Sequence, residues 1–112
     1  MMAEELKIID NLWIIKTSEG YKIGLTNEAQ EDLGNITFAT MPKVGQTLKK
    51  GDSLIELEAE KAVSEFSTPI SGTIAAINEA AEQDTSVLDD ADQKNAWIAI
   101  LTDVDETEFQ QA

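Results

Sequence analysis

Glu58-Ala59-Glu60-Lys61-Ala62 is the segment whose residue types and spacing set up a recognisable chemistry. Residues 53–58 alternate apolar and polar positions, and residues 63–68 again read as extended. Little chain is left between them, so the simplest geometry is a tight hairpin with Lys61 at or near its tip. A tip lysine points into water, reaches far from the body, and can be enclosed by another protein's active site. Those are the requirements for a covalently attached swinging arm, and the small Ala59 and Ala62 leave the approach open. On spacing alone, a lysine on a turn is more often simply solvated.

A second cluster, Asp84, Asp89, Asp90 and Asp92, could bind a cation or run carboxylate chemistry. It lacks both the Asp-x-Asp-x-Asp-Gly spacing and the closing Glu of a calcium loop, and so reads as a solvated acidic loop. The chain has no His and no Cys. The commonest general base and metal ligand are therefore missing, as are thiolate nucleophiles, disulfides and iron–sulfur ligation. No catalytic residue and no metal site are expected. Any redox or group-transfer atoms must be brought in.

The elements that position Lys61 are short. Strands are expected over residues 12–17, 21–26, 36–41, 53–58, 63–68, 73–78 and 96–102, with turns at Ser18-Glu19-Gly20, Pro42-Lys43-Val44-Gly45 and Gly51-Asp52. Asn27 reads as a helix N-cap, with Gln30 completing a capping-box-like pattern and Gly34 as the stop. One short helix is expected in the acidic stretch 79–90, and the acidic tail 103–112 reads as a frayed helix. Pro69 and Gly72 permit a bend where strands cross closely. Short strands with turns every 8–12 residues indicate a mostly β fold, an antiparallel sandwich or flattened barrel with a few short helices.

The chain is 112 residues long, enough for one domain with a modest core. No apolar run is long enough to span a bilayer, and residues 1–7 do not read as a secretory signal, so a cytoplasmic protein is expected. Acidic residues number 22 against 8 basic ones, a formal net charge of −14. Nucleic acid and membrane are thus not expected as partners, whereas basic protein surfaces would be attracted.

Beyond the hairpin, Ile23-Gly24-Leu25-Thr26, Ala29-Gln30, Leu33-Gly34, Leu48-Lys49-Lys50-Gly51-Asp52, Pro69-Ile70-Ser71-Gly72-Thr73-Ile74, Ile77-Asn78-Glu79-Ala80 and Ala96-Trp97-Ile98 follow one another at a consistent spacing. In their order they resemble the glycine cleavage H-protein family of the biotinyl/lipoyl-carrier fold. The resemblance implies a barrel-sandwich hybrid over residues 1–112 and a non-catalytic carrier with lipoate in amide linkage to Lys61. It further implies that Glu58, Glu60 and Ala62 are read by the enzyme that attaches lipoate. Expected partners are a lipoate ligase or transferase, a PLP-dependent glycine decarboxylase, a folate-dependent aminomethyltransferase and an FAD-dependent dihydrolipoyl dehydrogenase. Between them the arm would shuttle an aminomethyl group and reducing equivalents, or relay lipoate to other acceptors.

Three departures stand out. The family's usual Glu-Ser-Val-Lys is Glu58-Ala59-Glu60-Lys61 here, its His-Glu-Trp is Asn11-Leu12-Trp13, and the C-terminal helical part is short. These resemble a short H-like bacterial branch associated with a sirtuin-type ADP-ribosyltransferase and a macrodomain hydrolase. That likeness makes Asp32 a candidate ADP-ribose acceptor, against its plainer reading as a carboxylate in a helix's last turn. Two rivals remain at this stage. One is a biotin carrier, whose lysine normally sits between methionines, and the other is an unmodified acidic docking module.

Overall fold

The computed structural model describes residues 6–112; residues 1–5, part of the stretch read above for a leader, lie outside it. Among the described residues nine strands form two antiparallel sheets. The first sheet runs β1 (Leu6–Ile9), β2 (Leu12–Thr17), β3 (Gly20–Leu25), β9 (Trp97–Thr102), β8 (Gly72–Ile77) and β5 (Thr47–Leu48). The second has three strands: β4 (Ile36–Thr40), β6 (Ser53–Ala59) and β7 (Val63–Ser67). Helices α1 (Asn27–Leu33), α2 (Glu79–Gln83) and α3 (Glu106–Gln111) are short. Between the sheets lies a core of alternating strand residues, among them Leu12, Ile14, Ile23, Leu25, Ile55, Leu57, Ile74, Ile98 and Leu101, each no more than 1% exposed. The expected mostly β, flattened sandwich is the fold observed.

Two strands go beyond the expectation. β1 pairs with β2 through Ile9 opposite Leu12. The turn between them is Asp10-Asn11, both at positive φ, 50° and 69°. Asp and Asn tolerate that left-handed region, which two-residue hairpins require, so this signal was readable in the sequence. β5 has only two residues and no periodicity to detect.

Three local readings are corrected. The N-cap of α1 is Thr26, whose hydroxyl accepts from the Ala29 amide at 3.2 Å, and not Asn27. Gln30 therefore does not close a capping box; its amide donates to the carbonyls of Leu88 and Asp90, both at 2.8 Å, and pins the acidic loop onto α1. The short helix expected within 79–90 is α2, which ends at Asp84. That carboxylate accepts from the Ser86 hydroxyl and amide and starts a 3-10 turn at Thr85–Asp89. Nor is the C-terminal helix frayed. Phe109 is fully buried with its ring 4.8 Å from that of Tyr21, and Glu108 accepts from the Ser71 amide.

Past the hairpin, the anticipated close crossing is present at Gly72. A Cβ there would stand 2.8 Å from the Thr102 carbonyl oxygen and from Val104 Cγ2.

Candidate functional site

The lysine hairpin joins β6 to β7 across Glu60-Lys61-Ala62, with Glu58 opposite Val63 and the Ala59 amide donating to the Ala62 carbonyl at 2.9 Å. The loop is as tight as its sequence implied. Ala62, expected to clear an approach, is half-buried and packs against the core while its carbonyl closes the turn.

The tip does not stand free of the body. Glu60 donates its amide to the Asn35 carbonyl and Lys61 donates its amide to the Leu33 carbonyl, each at 2.9 Å. The Lys61 ammonium reaches the Glu31 carbonyl at 3.1 Å. Lys61 is exposed, yet its side chain lies back over the end of α1, a correction to the picture of a lysine pointing straight into water. The physical cause is the helix. The last carbonyls of any α-helix lack intrahelical donors and carry partial negative charge. α1 has no basic residue of its own in its last turn, and Lys61 supplies one from the second sheet. Gly34 makes the close fit possible: it has φ 74° and ψ −152°, and a Cβ there would stand 3.0 Å from Glu60 Oε1 and 3.3 Å from Lys61 Cγ. That backbone region is essentially reserved for glycine.

The remaining candidates fall as follows. Glu58 is exposed on β6, directly across from Phe38 on β4 and Val63 on β7. Glu60 is exposed at the tip. Asp32 is exposed on α1, between the two residues whose carbonyls hold Lys61. Sequence reasoning missed Glu31, Leu33 and Asn35, which act through backbone oxygens that any residue type carries. An open groove of about 550 Å3 runs along α1, lined in part by Gln30, Glu31, Gly34 and Asp89.

The acidic cluster does structural work. Asp89 accepts from the Ile36 amide, Asp90 from Asp92 N and Asn95 Nδ2, and Asp92 from the Lys94 amide. The two hydrogen bonds from Ser86, side chain first, hold the Asp84 carboxyl below the usual aspartate range. Among the described residues no group of three or more acids could hold a metal ion. No helix among them is long and apolar enough to cross a membrane.

A flattened β-sandwich of two antiparallel sheets is the architecture expected of the biotinyl/lipoyl-carrier class. Comparison with known proteins narrows the class. The family model described as "Glycine cleavage H-protein" matches residues 5–111. The chain is 38% identical over 96 residues to the glycine cleavage system H protein of Listeria welshimeri, covering 86% of this chain and 77% of that one. It is 37% identical over 105 residues to the probable glycine cleavage system H protein of Thermococcus gammatolerans, covering 87% and 78%. The crystal structure of a glycine cleavage system H protein from Mycobacterium marinum superposes with a TM-score of 0.76 at 26% identity, covering 98% of both chains. This chain belongs to the glycine cleavage H-protein family, whose members are non-catalytic subunits that carry lipoate covalently on a lysine.

Proposed function

We propose that this protein is the lipoyl carrier of a glycine cleavage system and that Lys61 is the attachment residue. The observation that carries the assignment is the position of Lys61 itself. It carries an exposed primary amine in a three-residue hairpin loop, held by one neutral carbonyl oxygen, that of Glu31, with no carboxylate ion-paired to it among the described residues. The lysine fits an amide-forming acceptor: Nζ gives up two of its three ammonium protons, keeps the third as the amide N–H, and forms one C–N bond as the bond from the lipoyl acyl carbon to its activating group breaks and that group leaves. Bound lipoate supplies the dithiolane sulfurs that a Cys-free chain lacks. The chain's own residues hold the tip in place: the amides of Glu60 and Lys61 fix the loop against α1, and Gly34 leaves space for both side chains. Tethering at such a point raises the local concentration of the carried group at each partner.

Family membership implies partners within the glycine cleavage system. In finer terms we assign a lipoate ligase or transferase, a PLP-dependent decarboxylase, a folate-dependent aminomethyltransferase and an FAD-dependent dihydrolipoyl dehydrogenase. Intact-mass analysis with peptide mapping after incubation with a lipoate ligase tests the site. One lipoyl increment on Lys61, absent from Lys61→Arg, supports the assignment; an unmodified Lys61 under conditions that lipoylate another H protein overturns it. The same peptide map reads Asp32. Asp32 is exposed on α1 beside the lysine's carbonyl partners.

A further inference from the structure

The outer face of the three-stranded sheet carries two cross-strand rows beside the hairpin. One row is Phe38, Glu58 and Val63, and the next is Thr40, Glu56 and Glu65. Phe38 is 56% exposed and Val63 78% exposed, and both are apolar. A shallow hollow of about 90 Å3 lies between them, floored by Leu57 and edged by Glu56 and Glu58. Neither row contains a cation. Glu56 and Glu65 stand directly opposite each other, an arrangement of like charges that destabilises a sheet. The isolated fold thus keeps two unfavourable features side by side: solvated apolar groups and an uncompensated carboxylate pair. Both are relieved by one occupant, a protein surface that places an apolar side chain in the hollow and basic side chains around it.

We propose that this face is the docking surface for the enzyme that acylates Lys61, and that the enzyme's active-site rim is apolar and basic where it meets Phe38, Val63 and Glu65. The inference rests on the assignment of Lys61 as the attachment residue. Reach selects this occupant. An enzyme that modifies Nζ must bring its reacting atoms within one lysine side chain of the hairpin, so its rim has to cover the flanks of β6 and β7. An enzyme acting at the far end of a completed arm is under no such constraint. The alternative exposed apolar pair, Leu6 and Ile8 on β1, lies on the other sheet and serves as the control.

The test separates binding from transfer. Binding of a purified ATP-dependent lipoate ligase is measured to the full chain carrying Lys61→Arg, with Phe38→Ser, Val63→Thr, Glu65→Gln or Ile8→Ser added. Lipoylation kinetics are measured on the same four variants with Lys61 intact. Phe38→Ser is expected to weaken binding about tenfold, and Val63→Thr, which keeps the β-branched shape, about threefold. KM for the protein rises in proportion, kcat is unchanged, and Ile8→Ser behaves as the parent. Glu65→Gln gives a paired signature: weaker binding at low salt, lost at high salt, together with a higher melting temperature from the relieved repulsion. Undetectable binding of the parent, or equal binding and KM for Phe38→Ser, Val63→Thr and Ile8→Ser, overturns the proposal. Binding that responds as expected while Lys61 is never lipoylated supports the surface and overturns the attachment reading alone.

Discussion

Lys61 Nζ and the carbonyl oxygen of Glu31 are 3.1 Å apart, so a hairpin lysine caps a helix that lies thirty residues earlier in the chain. If Lys61 is the attachment residue proposed above, the ammonium to be acylated is also the cation at the carboxyl end of α1, and modification and helix capping would compete for one group.

Replacing Lys61 by Met should cost about 0.3–1 kcal/mol of stability, the usual value of a charge at a helix terminus. Lys61→Arg should cost less because it keeps the charge. Urea unfolding at low and high salt checks this, since screening shrinks the difference. Acylation of wild-type Lys61 should lower stability in the same direction as Met does.

Gly34→Ala should destabilise the fold by about 1–3 kcal/mol through its backbone conformation alone. The added Cβ also crowds Glu60 Oε1 and Lys61 Cγ, so the hairpin tip should shift and lipoylation slow. A thermal melt paired with the lipoylation rate reads both effects. An unchanged rate at reduced stability would mean that the tip tolerates displacement from α1.

Phe109→Ala should cost about 3–5 kcal/mol, the range for truncating a buried aromatic. Phe109 is completely buried against Tyr21, and without it α3 loses its anchor. Denaturant unfolding gives the magnitude, and amide exchange over Glu106–Gln111 should rise to that of an exposed segment.

Asp84 sets a pH dependence. Its carboxyl is held below the ordinary aspartate value of 3.8, chiefly by the Ser86 hydroxyl and then by the Ser86 amide. A depressed folded value means that its contribution is complete above the unfolded value and is lost as pH falls through the folded one. Asp84→Ala should therefore flatten the stability profile in the acid range below that value and lower stability at neutral pH. Unfolding measured across the acid range in both proteins checks the sign.

How far these features were readable varies by residue. The alternation of Ile55 and Leu57 with Ser53, Glu56 and Glu58 placed β6, and β7 followed from the extended run after Ala62. The glycine stop at Gly34 marked the end of α1. Thr26 and Asn27 are adjacent and both are good N-cap types, and only the backbone dihedrals assign the cap to Thr26. Asp84 read as one acid of a solvated loop; its preference for bonding the amide two residues on is a local competition that composition does not resolve.

Side-chain pattern and residue type were thus enough for the β class and the hairpin, since a period of two and a tight turn are encoded over a handful of neighbouring residues, whereas Lys61 was singled out by the family resemblance. The tertiary structure alone decided where that lysine rests. Its partners are the backbone carbonyls of Glu31 and Leu33, with Asn35 receiving the neighbouring amide. Carbonyl oxygens are common to every residue and leave no mark in the sequence. They meet Lys61 only because packing of the sheets and α1 brings the hairpin tip to the helix end.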